Sequence, residues 1–129
     1  MTNADNTALQ TERELRQVPS IRGILDRLGI SSKYKGYLMM AYALEISLAD
    51  ETAVTEIMHR IYPQVAEHFR TTAVSAEKDL RKAVTAFWTN GNRELYGRLT
   101  GFLPARKPTT AEFIGAVTAG ILRMMSRRG

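Results

Sequence analysis

A cluster of polar and charged side chains within residues 75–82 is the part of the sequence best suited to chemistry: Ser75, Glu77, Lys78, Arg81 and Lys82. In a helix, where successive residues are about 100° apart, Ser75, Lys78 and Lys82 share the outer side with Thr85, and Val74 and Arg81 flank them. Exposed lysine and arginine side chains neutralise phosphates and release counterions from duplex DNA. The major groove of that duplex, about 12 Å wide, admits one helix. The cluster therefore favours binding to a polyanion such as DNA.

The other side of the same segment is apolar and predicts a helix packed against a core. Its apolar side chains recur at i, i+4, i+7, i+8, i+11 and i+12, which places them in one stripe with Glu77 at its edge: Ala76, Leu80, Ala83, Val84, Phe87 and Trp88. Thr72 suits the N-cap position of this helix. We expect the helix to end near Asn90 and Gly91.

A shorter helix is predicted immediately before this long one. Pro63 fits its first position, and the small Ala66 lies where the two helices would touch. Arg70 and Thr71 form a tight connection. A short helix, a tight turn and a long helix with a basic outer face are typical of a helix-turn-helix unit. The same spacing also occurs in ordinary helical hairpins with a solvated polar side, so the pattern alone leaves both interpretations open.

Three other segments are also predicted to form helices. Ser20 begins one that ends before Gly29, and Asn92 begins a short one. Thr109 and Glu112 form a capping box for a last helix over about 110–126. No segment alternates with period 2 for long enough to predict a strand. The expected fold class is all-α, a compact bundle of about six helices that contains the helix-turn-helix.

Two further helices are predicted between residues 31 and 61. Ser31 or Ser32 is the expected cap of the first, and Asp50 or Thr52 is the expected cap of the second. The first helix shows side chains at a spacing of three to four residues: Tyr34, Leu38, Ala41, Tyr42, Glu45 and Leu48. The second contains Val54, Ile57, Met58 and Ile61 at the same helical spacing.

Length and composition limit the classes of protein. With 129 residues, 44% of them hydrophobic, the chain fits one domain, which we place at residues 18–129 after a polar N-terminal arm over 1–17. There is no cysteine, so a disulfide framework and a thiolate metal site are excluded. The polar, acidic start is unlike a signal peptide, and no apolar run is long enough for a membrane span. We expect a cytoplasmic, nucleoid-associated protein with no membrane partner.

The sequence contains no pattern of an enzyme or a metal centre. His59 and His68 have no acidic or cysteine partner at ligand spacing, and no phosphate-binding glycine loop or nucleophile elbow occurs. We therefore predict no catalytic residue, no metal and no cofactor.

Three segments of the sequence resemble a known family. They are LGISSKYKGYL (28–38), IYPQVAEHFRTTAVSAEKDLRKAVTAFWTNGN (61–92) and KPTTAEFI (107–114). Together they are similar to the DNA-binding effector domain of the stage-zero sporulation protein A response-regulator family, in order and nearly without gaps over about 20–126. The resemblance implies a helical domain that binds a short promoter element in double-stranded DNA. It further implies a homodimer on DNA and a contact with RNA polymerase.

The family's recognition helix reads bases with an arginine, a glutamate two residues later, and an adjacent arginine. The matching positions here hold Ser75, Glu77 and Lys78, so only the glutamate is retained. Arg81 matches a family arginine, and Lys82 stands where the family has a histidine near the DNA backbone. Serine cannot form the bidentate contact that arginine makes with guanine. We therefore expect a shifted or relaxed DNA site.

Several further residues are weaker DNA-binding candidates. Arg70 in the turn could contact a phosphate or a base, and Val74 could touch a thymine methyl group. Thr72, Lys33 and Lys35 complete this group, the two lysines as phosphate contacts.

The family's effector domain follows a phosphorylatable receiver domain. Only about 20 residues precede the resemblance here, whereas domains have at least about 50 residues. We therefore expect no receiver domain in this sequence. The alternative function is a helical protein–protein interaction module that kept the fold but lost specific DNA binding.

Overall fold

Residues 20–126 are described by the structure, a computed structural model, and within them the chain forms helices and no β-strand. The predicted arm over residues 1–17 lies outside these residues. None of the helices over 20–126 combines the length and apolar character needed to cross a bilayer. The predicted all-α class is confirmed. The six α-helices are α1 (Ile21–Arg27), α2 (Lys35–Ala49), α3 (Tyr62–His68), α4 (Ala73–Asn90), α5 (Arg93–Thr100) and α6 (Thr110–Ser126).

The predicted caps of α1, α4, α5 and α6 are confirmed. Ser20, Thr72 and Asn92 each accept a hydrogen bond from the backbone N–H three residues later, at 3.2, 3.0 and 2.9 Å. Thr109 accepts from the Glu112 N–H at 3.1 Å, and the Glu112 carboxylate accepts from the Thr109 N–H at 2.9 Å. These bonds satisfy N–H groups that a helix start leaves without an intrahelical partner. The caps therefore fix where each helix begins.

The predicted cap of α2 is wrong. Tyr34, not Ser31 or Ser32, occupies the N-cap position, and its side chain makes no capping bond. The Ser31 hydroxyl instead accepts from the Lys33 N–H at 3.3 Å. Serine readily forms such local turns, which compete with helix capping. The loop between α1 and α2 is consequently longer than predicted.

The stripe predicted for α2 does not mark its buried side. Ala41 is buried, but Leu38 and Glu45 are exposed. Helix α2 packs against α1, α4 and α6, so apolar residues are needed around most of its circumference and no single stripe identifies the core. Its buried side chains include Tyr37, Met39, Met40, Ala43 and Leu44.

The helix predicted between Asp50 and Ile61 is not an α-helix. Asp50 is the cap, accepting from the Thr52 N–H at 3.0 Å, but a 3-10 helix (Glu51–Glu56) and a π-helical turn (Ile57–Ile61) follow it. A 3-10 helix has fewer residues per turn than an α-helix, and a π-helix has more. An α-helical spacing therefore does not predict which of their residues are buried. Ile61 is buried as expected, whereas Met58 is 71% exposed.

The apolar stripe of α4 is confirmed except at its last member. Ala76, Leu80, Ala83, Val84 and Phe87 are all buried. Phe87 lies 5.0 Å from the Tyr96 ring of α5 and 5.3 Å from the Phe113 ring of α6, measured between ring centroids. This aromatic cluster holds the C-terminal half of α4 against the two helices that follow it.

Trp88, predicted to lie in the core, is only half-buried. It packs against the core on one side, and the Arg93 guanidinium lies 4.1 Å from its ring centroid on the other. A guanidinium over an indole face is a cation–π contact. The residue therefore lies at the edge of the apolar stripe.

A pair of glycines joins the end of α1 to the end of α4. Gly29 has a φ of 85°, and a Cβ there would lie 2.9 Å from the Gly91 Cα. The Asn92 N–H donates to the Leu28 carbonyl across the same junction at 2.8 Å. The two chain segments therefore touch through their backbones, which only glycine allows at this distance.

Helix α2 also approaches α4 closely, at Gly36. A Cβ at this position would lie 2.2 Å from the Asp79 carbonyl oxygen and 3.0 Å from the Ala83 Cβ. No side chain fits there unless the helices separate. Gly36 therefore sets the distance between α2 and the middle of α4.

Replacing Gly36 by alanine should destabilise the domain, although Gly→Ala within a helix ordinarily stabilises by up to about 1 kcal/mol. Gly115 in α6 is the matched control, because a Cβ there meets only Val54 methyl groups at 3.8 Å. We expect Gly36→Ala to lower the free energy of unfolding in urea and Gly115→Ala to leave it equal or higher. A stabilised Gly36→Ala variant would contradict the close approach of α2 and α4.

Candidate nucleic-acid interface

The turn between α3 and α4 positions the long helix. It spans residues 69–72, two more than the predicted Arg70–Thr71 connection, because α3 already ends at His68. The Arg70 N–H donates to the Glu67 carbonyl at 3.2 Å, and the Thr71 N–H donates to the Ala66 carbonyl at 2.9 Å. These two bonds form a Schellman motif, whose C′ residue adopts the left-handed conformation. That residue is Arg70, with a φ of 55°.

Arg70 is the only residue other than glycine with a positive φ within residues 20–126. The left-handed conformation costs an L-residue with a side chain roughly 1–2 kcal/mol. Glycine occupies the equivalent position at the end of α1, where Gly29 closes the same motif. The Arg70 side chain is exposed. The turn thus places a cation beside the start of α4 at a cost in stability.

The outer side of α4 is open to solvent along its whole length. Ser75, Lys78, Arg81 and Lys82 are exposed, as their spacing predicts, and Val74 is 78% exposed in the first turn. Within residues 20–126, no helix packs over this side, so α4 is free to enter a groove. We call the side formed by Val74, Ser75, Lys78, Arg81, Lys82 and Thr85 the outer face of α4.

Glu77 differs from the other predicted site residues because it is half-buried. Its carboxylate lies 3.4 Å from the Arg81 guanidinium, one turn later on the same helix. It also lies near Tyr62, and burial, as the main cause, raises the pKa of that phenol, with the charge of Glu77 adding to the increase. Glu77 therefore sits at the edge of the outer face and orients Arg81.

The weaker candidates divide into two groups. Thr72 is committed to capping α4, since its hydroxyl accepts from the Ser75 N–H. Lys33 and Lys35 are exposed at the start of α2, and Gly36 brings that start against the middle of α4. The Lys33 ammonium lies 5.6 Å from the Tyr34 ring centroid. The segment that carries these lysines therefore lies beside Asp79 and Ala83 of α4.

The charge of the outer face is only partly neutralised. Among the salt bridges within residues 20–126, one involves Arg81 and none involves Lys78 or Lys82. Glu77 and Asp79, the acidic neighbours of Lys78 in sequence, are both half-buried. The face consequently presents two uncompensated ammonium groups together with Arg81, as a phosphate-binding surface requires.

Lys107 joins this face although the sequence pattern did not single it out. It lies in the loop between α5 and α6, and its ammonium donates a hydrogen bond to the Thr85 hydroxyl at 3.0 Å. A cleft of about 670 Å³ separates this loop from α4, with Arg81 and Lys107 among its lining residues. The packing of α6 on α4 sets this contact across 22 residues of sequence, so no local pattern could reveal it.

The fold and the open cationic helix define a class. An all-helical domain whose helix-turn-helix presents a basic second helix to solvent has the architecture typical of DNA-binding regulatory domains. The comparison with protein families places it more closely. The model of the family described as "Sporulation initiation factor Spo0A C terminal" matches residues 21–121, and the chain belongs to this family. The resemblance seen in the sequence is thereby confirmed.

Replacing Arg70 by glycine should stabilise the domain by up to about 1 kcal/mol, because glycine adopts a positive φ without steric cost. Arg70→Ala is the matched control: it removes the same side chain but keeps the strained backbone. Urea unfolding of the two variants distinguishes the backbone effect from loss of the guanidinium. Equal stability of the two variants would contradict a strained left-handed Arg70.

Proposed function

We propose that this protein is a transcriptional regulator that binds a specific sequence in double-stranded DNA by placing α4 in the major groove. The observation that carries the proposal is the exposed cationic outer face of α4, held by a helix-turn-helix in a member of a family of DNA-binding effector domains. A helix with its side chains is about 10–12 Å across, which matches the width of the groove.

The first two turns of α4 are proposed to read bases. Lys78 suits guanine O6 and N7 as a point charge, and the exposed Val74 suits a thymine methyl group. Glu77 could accept from the N4 amino group of cytosine, but it must then share its carboxylate with Arg81. The short Ser75 side chain leaves space at the position where the family places arginine. Recognition should therefore be relaxed at the base pair opposite Ser75.

The surrounding cations are proposed to contact phosphates. Lys82 follows Lys78 by one turn on the outer face, and Arg70 lies at the opposite end, in the turn before α4. Lys33 and Lys35 flank the helix from α2, and the exposed Thr72 hydroxyl lies at its start. Phosphate contacts fix the position of a protein on DNA, whereas base contacts select the sequence.

Cellular location, oligomeric state and protein partners are proposed on the basis of this function. A promoter target implies action in the cytoplasm, at the nucleoid. Binding as a homodimer and contact with RNA polymerase are carried over from the family as further predictions. The competing function is a helical interaction module that kept the fold and lost DNA binding. Salt dependence distinguishes the two, because counterion release gives DNA binding a steep dependence on salt concentration.

Removing one phosphate-contacting lysine should reduce that dependence by a defined amount. For Lys82→Ala, the slope of log K against log salt concentration should fall by about 0.9, measured by fluorescence anisotropy with a labelled duplex. Arg27→Ala is the control: Arg27 is exposed in the last turn of α1, next to the Leu28–Asn92 contact at the far end of α4. Its slope should match that of the wild type. Wild-type binding that is absent or independent of salt would instead support the interaction module.

Restoring arginine at position 75 should tighten binding to the promoter element typical of the family. One bidentate guanine contact contributes about 1–3 kcal/mol of discrimination. Thr89→Arg adds the same charge to the exposed side of the last turn of α4, about 21 Å farther along the helix, where it should not select bases. The ratio of affinities for the family element and a scrambled duplex is the measurement. An unchanged ratio for Ser75→Arg would show that position 75 does not face a base.

A further inference from the structure

We infer that the DNA interface extends beyond the helix-turn-helix: Lys107, in the loop between α5 and α6, binds a backbone phosphate beside α4. This inference rests on the proposed function. It adds a phosphate site from a separate element of the chain, which neither the helix-turn-helix pattern nor the spacing of basic residues in α4 indicates.

The loop that carries Lys107 is anchored immediately after it. Pro108 is buried, and Thr109 and Glu112 form the capping box of α6. The Arg106 guanidinium lies 3.3 Å from the Glu112 carboxylate, so this carboxylate neutralises Arg106 and not Lys107. The Lys107 side chain therefore leaves a fixed point of the backbone and crosses to α4.

The end of that side chain is held by Thr85. The Thr85 hydroxyl donates to the Arg81 carbonyl at 3.0 Å, and it accepts from the Lys107 ammonium at 3.0 Å. Thr85 is exposed one turn after Arg81 and three residues after Lys82. The contact thus sets the Lys107 ammonium at the same surface as the cations of the outer face.

The ammonium retains binding capacity in this position. A lysine ammonium has three N–H donors, and Thr85 takes one of them. No salt bridge within residues 20–126 involves Lys107. Two donors and a full charge consequently remain for a phosphate oxygen, which lysine binds as a point charge.

The location along α4 favours a phosphate over a base. Thr85 lies about 18 Å along the helix from Ala73, whereas recognition helices of this kind read bases from their N-terminal residues. The rim of the major groove is formed by the phosphates of the two strands. A cation beside the later turns of α4 therefore meets the backbone and adds affinity without sequence preference.

The test compares duplex binding by the full chain and by Lys107→Met, which keeps the aliphatic stem and removes the charge. We expect the salt slope to fall by about 0.9 and affinity at 0.1 M salt to fall about eightfold, equally for the preferred and a scrambled duplex. Lys107→Arg should restore the slope. Urea unfolding should give equal stability for all three proteins, since an exposed bond of this kind contributes little.

A second variant tests the role of Thr85. Thr85→Val removes the acceptor that holds the ammonium, so it should weaken binding by less than Lys107→Met. It should have no additional effect in the Lys107→Met background. An effect of Thr85→Val that persists in that background would overturn the positioning role.

The outcomes separate this inference from the proposed function. If the wild type binds with a steep salt slope and Lys82→Ala reduces it, but Lys107→Met does not, the phosphate site at Lys107 is refuted and the proposed function stands. If Lys107→Met weakens only the preferred duplex, Lys107 reads a base and the inference is also refuted. If the wild type shows no salt-dependent binding, the proposed function fails, and the inference fails with it.

Discussion

The rotation of α4 about its own axis is the constraint on which the interface depends. Burial of Leu80 and Phe87 fixes which side of the helix points inward, and the aromatic contacts to Tyr96 and Phe113 lock its C-terminal half. Because α4 is rigid, burying one side determines the opposite side completely. The cations on the outer face of α4 therefore point outward as a consequence of core packing, and Arg81 is additionally oriented by its salt bridge to Glu77.

Stability and binding capacity conflict at the turn before α4. The same Schellman geometry closes α1 with Gly29 and α3 with Arg70, yet only glycine adopts it without cost. Strained residues persist where the surrounding structure enforces them, and they concentrate at functional sites. The strain at Arg70 therefore agrees with a role for its guanidinium, in line with the proposed DNA contact.

Most of the fold could be predicted from the sequence because local contacts determine where most of its helices begin. Thr72, Asn92 and the Thr109–Glu112 box cap helices by bonds spanning three residues, and each was readable from a short segment. The errors arise where distant contacts decide. Helix α2 contacts α1, α3, α4 and α6, so its apolar residues show no single stripe, and the segment 51–61 departs from α-helical spacing. The Lys107–Thr85 contact depends on how α6 packs and lies beyond any local pattern.

The glycine pair at positions 29 and 91 links the packing of α1 to the orientation of α4, and thereby to DNA affinity. Any side chain at Gly91 would collide with the Leu28 carbonyl at 2.7 Å and with the Phe87 carbonyl at 2.5 Å. Such a collision would tilt the rear of α4 while leaving every cation on its surface intact. Loss of DNA affinity on substitution at this junction would thus reflect a change in the orientation of α4, not loss of a DNA contact. A mutational search for contact residues therefore needs a parallel measurement of folding, so that the glycine junction is not assigned to the interface.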